Sequence, residues 1–307
     1  MFNFLLGVKK LDQGVLRITG AFVFRHLFVG EKQSVLMDTG YGIADLPKLV
    51  ETYIDSPLTV INSHYHPDHS GGNLRFKDVH IHPADMPFTG ELSIEHLVHT
   101  IGMAVMDRSD TRRFVAKTAG KLFRRTHRAR TNYTPMPDGT EFDLGDRKLV
   151  VRWLPGHTEG SCVLLDPDRH TIYTGDACNT GFWMWTNPKM TLAEYADNLD
   201  AFYNDIKDQG YEKLYNCHTP MANKVSFITD FAAFARSIRK GDRAVRIHLP
   251  GFPDDPLCIR GRMSLKHMGP MLCFYFESQA AGDAPARAAL PGKKLLQLLP
   301  PRKEKAE

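Results

Sequence analysis

Between residues 63 and 72 the chain reads Ser-His-Tyr-His-Pro-Asp-His-Ser-Gly-Gly. No other stretch restricts so tightly what this chain can become. Four cation-binding groups, His64, His66, Asp68 and His69, fall within six consecutive residues. Histidine nitrogen and carboxylate oxygen are the ligands zinc favours in a catalytic site with an open position. A bound divalent ion lowers the pKa of water and makes a nucleophile near neutral pH. In an extended chain residues two apart point the same way, so His64 and His66 can face one ion. Pro67 then bends the chain and lets Asp68 and His69 face a second.

Such a run needs a scaffold that gathers further ligands from far along the chain. Val, Phe, Leu and Ile mark strands over 15–19, 21–29 and 34–37, with a turn at 30–32, and a short helix is expected at 43–53. Another strand, 58–62, delivers the chain into the histidine run, and 79–82 forms a further one. Apolar residues recur at helical spacing over 92–106 and 114–123, which places a helical insertion at about 85–131. Strands return at 148–154, 161–165, 171–173 and 213–216. Helices are expected at 192–207, where Thr191 and Glu194 have the spacing of a capping box, and at 226–240. Closing strands follow at 258–260 and 271–276. Past Glu277 the chain turns Ala-, Gly- and Pro-rich, then highly charged, so 278–307 reads as a flexible tail. Against this frame His157, Asp176 and His218 each stand at a strand end or on the loop that follows.

Asp38-Thr39-Gly40, the run from His64 to His69, His157, Asp176 and His218 resemble, in order, the motifs of the metallo-β-lactamase superfamily, over roughly residues 15–219. The resemblance implies an α+β fold, a four-layer αββα sandwich with the metals at one edge, forming a single domain over 1–277. It implies one ion on His64, His66 and His157. A second would sit on Asp68, His69 and His218, with Asp176 bridging both. Two Zn2+ are expected, with iron or manganese as alternatives, and Asp38 would orient a ligand. Gly71 and Gly72 would permit a tight turn and close packing behind Asp68 and His69. The implied activity is hydrolysis of an ester-type bond (a thioester, a lactone or another activated ester) by metal-bound hydroxide, with Asp68 and Asp176 as the catalytic carboxylates.

Departures within that family narrow the choice. A bridging Asp176 is generally missing from its true β-lactamases, so amide hydrolysis of that kind is the alternative reading. The short interval between Asp176 and His218 leaves no room for the inserted domain of its nucleases, and a phosphodiesterase is the other alternative. His66 stands where iron-binding flavoprotein relatives usually carry glutamate, which argues against a redox di-iron role.

The run Phe182-Trp183-Met184-Trp185 after Asp176, together with Tyr65, is the candidate wall of a substrate pocket. Within the insertion, cations at Arg112, Arg113, Lys117, Lys121, Arg124, Arg125, Arg128 and Arg130 could meet an anionic small-molecule substrate. The competing readings of that face are a solvated surface and a homodimer contact; His96 and His99 on it read as surface residues. A formal charge of +4 is too modest to favour nucleic acid. Five scattered cysteines without a CxxC pair suggest neither disulfides nor a thiolate site, and Cys178 and Cys217 read as packing residues. With no secretory leader pattern and no apolar run of membrane-spanning length, a cytoplasmic protein is expected.

Overall fold

Side chains of a strand alternate between its two faces, and in Ser34–Met37 all four are buried, so this strand is covered on both sides. Val35 and Met37 join one core with Val15, Phe28, Ile61, Phe142, Leu149, Val151, Leu164 and Tyr173. Leu36 joins the other, with Ile18, Leu27, Leu46, Val50, Val60 and Val79. The first core lies between two sheets and the second lies beneath a helix. The computed structural model describes residues 6–20, 23–42, 44–89, 131–187, 189–249, 252–264 and 269–283. Most of the expected helical insertion, with its cations, His96 and His99, lies outside the described residues, as does the tail beyond Asp283. Of the insertion only a 3-10 turn, Met86–Phe88, is described.

The first sheet runs in chain order: β1 (Gly7–Asp12), β2 (Val15–Gly20), β3 (Val23–Phe28), β4 (Ser34–Met37), β5 (Leu58–Ile61), β6 (Asp78–Ile81) and β7 (Asn132–Pro135). Its first four strands pair antiparallel and the last four parallel. Helix α1 (Leu46–Val50) connects β4 to β5; it is shorter than the expected 43–53 because Pro47 fixes its first turn. The second sheet is built from β8 (Glu141–Asp143), β9 (Lys148–Trp153), β10 (Cys162–Asp166) and β11 (Thr171–Tyr173), in order, followed by β13 (Lys213–Tyr215) and β14 (Asn223–Lys224). One helical turn, α2 (Pro67–Ser70), follows β5.

Residues 1–277, expected as one domain, divide into two compact units. The first holds Met1–Asn179 and Ile206–Val225, including both sheets above; the second holds Thr180–Asp205 and the chain from Ser226 onward. In the second, β12 (Gly181–Trp183) joins β16 (Val245–Leu249), β17 (Phe252–Ser264) and β18 (Gly269–Phe276) in a sheet of order β12-β18-β17-β16. Thr191 and Glu194 form the reciprocal cap that their spacing implies: the Thr191 amide donates to Glu194 Oε2 (2.7 Å) and the Glu194 amide to Thr191 Oγ1 (3.2 Å). This starts α3 (Leu192–Ile206), which buries Leu192, Tyr195, Ala196 and Leu199 at helical spacing. Helix α4 (Phe227–Ser237) buries Phe227, Phe231 and Phe234.

The described chain does not end at Glu277. Gln279 is buried, its amide donates to the carbonyls of Met184, Asn187 and Met190, and β19 (Ala281–Asp283) pairs with β15 (Arg239–Lys240). Among the described residues, no helix is long and apolar enough to cross a membrane.

Candidate metal centre

All seven ligand candidates belong to the first unit. Strand β5 stops at Ile61, so His64 and His66 stand on an irregular loop rather than on the expected extended chain. Their rings still meet. Nε2 of His64 lies 3.0 Å from Nδ1 of His66, which lies 2.8 Å from Nε2 of His157 on the loop after β9. Pro67 then opens α2 at its first position, where its missing N–H is no loss, and that single turn carries Asp68 and His69. Asp176 follows β11 and His218 follows β13.

The second group therefore draws on three segments. Asp176 Oδ2 lies 3.0 Å from His218 Nε2, 3.5 Å from His69 Nε2 and 3.6 Å from His157 Nε2, so one carboxylate oxygen reaches toward both groups. Asp68 Oδ2 is 3.5 Å from His69 Nε2 and 3.7 Å from His218 Nε2. Within each group, His64 with His66 and His157, and Asp68 with His69, Asp176 and His218, the ligand atoms all lie within 4.8 Å of one another. The loop bearing His218 is tied down: the Phe24 amide donates to Cys217 O (2.8 Å), and the His218 and Thr219 amides donate to Asn216 Oδ1.

Asp38 directly follows β4 with φ 69°, one of two left-handed non-glycine residues among those described. Such a conformation costs about 1–3 kcal/mol and persists where its surroundings fix it. Here they do: Asp38 Oδ1 accepts from the Ser63 amide and Oδ2 from the Ser63 hydroxyl, both at 2.8 Å. Asp38 Oδ2 also lies 2.8 Å from His69 Nδ1, so Nδ1 donates to it and Nε2 is the nitrogen that faces Asp68 and Asp176. Gly71 and Gly72 keep ordinary helical backbone angles; they are needed for close approach. A Cβ on Gly72 would sit 2.6 Å from Thr39 O, and one on Gly71 2.5 Å from Pro67 O.

Charges divide the two groups. Burial, reinforced by the rings of His69, His66 and His157, holds the His64 imidazole well below its ordinary value. Burial also opposes charge on His69, but the carboxylates of Asp68, Asp38 and Asp176 outweigh it and lift that imidazole well above the usual range. At His218, the exposed member of its group, partial desolvation is likewise outweighed by Asp176 and then Asp68, which raise it to about 9. Burial would raise Asp176, yet His218 and His69 hold it well below the carboxylate range.

Two buried atoms, His69 Nε2 and Asp176 Oδ1, have no hydrogen-bond partner. An unmet buried acceptor costs about 1–3 kcal/mol. Both belong to side chains of the cluster, and a divalent cation would satisfy such atoms. A donor set of imidazole nitrogen and carboxylate oxygen suits zinc, with iron or manganese less selectively excluded. The residues fit the ions expected of them. A third grouping, Asp38, His69 and Cys217, does not: Asp38 is committed to Ser63 and His69, and burial pushes the Cys217 thiol up to about 12.

Tyr65 is half-buried beside the first group, its ring centroid 4.7 Å from that of His66 and 4.9 Å from that of the exposed Phe88. Phe182 is fully buried in the second unit, stacked at 4.1 Å on Tyr195. Trp183 packs at 5.8 Å on Phe274 in the same unit, and the Trp185 side chain lies outside what is described.

Three residues near the centre escaped the sequence reading. Asp85 bonds to both loops of the first group. Arg25 lies buried across Gly40, where a Cβ would fall 1.6 Å from its Nη2; burial lowers it to about 10 while Asp38 supports its charge. Burial and the nearby Asp68 push the Tyr41 phenol above its ordinary range. Only Arg25 left a signal, as a cation inside the apolar strand Val23–Phe28.

The family described as the metallo-β-lactamase superfamily matches residues 19–259 of this chain. Acyl-coenzyme A thioesterase MBLAC2 of Bos taurus is 28% identical over 203 residues, covering 62% of this chain and 70% of that protein. The Homo sapiens protein of the same name is 28% identical over 202 residues, with the same coverage. Among solved structures, a metallo-β-lactamase family protein from Thermus thermophilus matches with a TM-score of 0.50 and 20% identity, covering 74% of this chain and 81% of that one. A double mutant of the sec-alkyl sulfatase PisA1 matches at 0.53 and 14%, covering 76% and 42%. At such identities the structural likeness speaks for the fold alone.

Proposed function

The chain belongs to the metallo-β-lactamase superfamily and is a metal-dependent hydrolase, and from that premise we propose that it binds two zinc ions and hydrolyses thioesters. His64, His66 and His157 would hold one ion; Asp68, His69 and His218 the other, with Asp176 shared. The observation that carries this reading is the reach of Asp176 Oδ2 toward His157 on one side and His69 and His218 on the other. The thioester preference rests on the relatives named acyl-coenzyme A thioesterase.

Bound there, the ions would supply an activated water and a Lewis acid for the substrate carbonyl. The chain's own groups do the rest. Asp38 fixes the His69 ring by accepting from Nδ1, and Arg25 backs that carboxylate with a buried cation. Asp68, the more exposed of the two central carboxylates at 13% against 8% for Asp176, accepts the proton of the attacking water. It then delivers that proton to the departing sulfur. The water oxygen bonds to the carbonyl carbon as the C–S bond breaks, giving a carboxylic acid and a thiol.

The test begins with metal analysis of protein purified without added zinc, for which two equivalents are expected. A coenzyme A thioester, a lactone, a p-nitrophenyl ester, a cephalosporin and a phosphodiester are then compared before and after chelation and zinc return. The thioester should lead by at least tenfold in kcat/KM. A phosphodiester or cephalosporin in front would overturn the substrate assignment, and full activity without metal would overturn the centre.

A further inference from the structure

Asp85 lies on the turn after β6, is fully buried, and its carboxylate accepts three hydrogen bonds. Oδ2 accepts from the Tyr65 amide (3.1 Å) and from Thr158 Oγ1 (2.8 Å); Oδ1 accepts from the Gly160 amide (2.8 Å). Tyr65 stands between His64 and His66, and Thr158 directly follows His157. One side chain thus fastens the loop after β5 in the first sheet to the loop after β9 in the second. Gly160 is shaped for the contact, since a Cβ there would lie 2.5 Å from Asp85 Cγ. The far loop is itself closed, with Thr158 N and Oγ1 at 2.9 and 2.8 Å from Ser161 Oγ.

We propose that Asp85 is a positioning residue for the first ion: it sets the spacing of His64 and His66 against His157 by gripping the backbone of both loops, and it touches no ligand ring itself. The two loops belong to different sheets, so their separation is not set by any one strand. A second tie, from the Cys162 amide to Ser63 O (2.9 Å), joins the same regions and should keep the fold intact when Asp85 is changed. Partners that orient ligands commonly alter metal affinity ten- to a hundredfold. This inference rests on the two-ion reading above and is indifferent to the choice of thioester.

The experiment is a Zn2+ titration of metal-free protein by calorimetry, for wild type, Asp85→Asn, Asp85→Ala and Thr158→Val. Each is repeated in a His157→Ala background that dismantles the first group. In the intact background Asp85→Ala should weaken one of the two binding steps about ten- to a hundredfold and leave the other unchanged. Asp85→Asn and Thr158→Val should shift the same step by less, and they keep the test open should the alanine variant fail to fold. In the His157→Ala background Asp85→Ala should have no further effect on the remaining ion, because the two changes act on one group. Wild-type affinity at both steps, equal weakening of both, or an additive loss in the His157→Ala background would each overturn the proposal. Two ions bound normally with no thioester turnover would instead sink the substrate assignment and leave this inference standing.

Discussion

In the group of His64, His66 and His157 every candidate ligand is an imidazole, whereas Asp68, His69, Asp176 and His218 set two carboxylates among two imidazoles. Their support differs in kind as well. In the second group Asp38 bonds directly to a ligand ring, at 2.8 Å from His69 Nδ1. In the first, Asp85 bonds to the loops on either side of the ligands and to none of their rings. A ring held by a carboxylate has its tautomer and its basicity set together. A loop held by a carboxylate has only its position set. The difference assigns charge control to the second group and spacing to the first, so perturbing each should fail in a different way.

The sharpest break is at Asp68. Asp68→Asn keeps size and one oxygen ligand but cannot take a proton from water. It should lower kcat for the thioester by about 10²–10⁴, with KM nearly unchanged. The expected loss grows smaller for a thioester with a more acidic thiol, because such a leaving group needs less protonation. An unchanged kcat would remove Asp68 from the chemistry and reduce it to a ligand.

Asp38→Asn comes next. The amide cannot accept as strongly from both Ser63 and His69 Nδ1, so His69 loses its fixed tautomer. Zinc affinity at one step should fall about ten- to a hundredfold, and in a His157→Ala background the loss should persist in full. That persistence is the opposite of what Asp85 predicts. Were both variants to lose affinity in the same step, the division of labour between the two aspartates would collapse.

How much of this could be read beforehand depended on whether a residue's role was local. The histidine run was legible because its four groups are adjacent and chemically specific. The regular strands were legible because β4 and β10 carry nothing but buried residues, most of them apolar. Strand β1, Gly-Val-Lys-Lys-Leu-Asp, was not, since an exposed edge strand carries no apolar alternation. Asp85 could not be singled out either: its three partners come from residues 20, 73 and 75 positions away, and a single Asp on a connecting turn carries no pattern. Phe182 was legible as an aromatic shortly after Asp176, but its stacking on Tyr195 and its edge contact with Phe231 depend on α3 and α4. Side chains whose partners are remote are fixed by topology, and periodicity does not report topology.

The smallest expected effect tests the electrostatics of the first group's support without metal. Burial raises the Asp85 carboxyl to about 6 against its ordinary 3.8, even though Thr158, Gly160 and Tyr65 all favour the anion. A carboxyl raised on folding binds more protons in the folded state than in the unfolded one. Its contribution is therefore complete below about pH 4 and declines as pH rises through about 6. Between pH 5 and pH 6 the decline is about 1 kcal/mol. Asp85→Asn has no such proton to lose, so its stability relative to wild type, from denaturant unfolding of the metal-free proteins, should rise by about that amount over the same interval. A relative stability that stays flat over that interval would mean that the three donors offset or outweigh desolvation. Asp85 would then hold its loops as a buried anion stabilised by its three donors, and the contrast with Asp38 would rest on geometry alone.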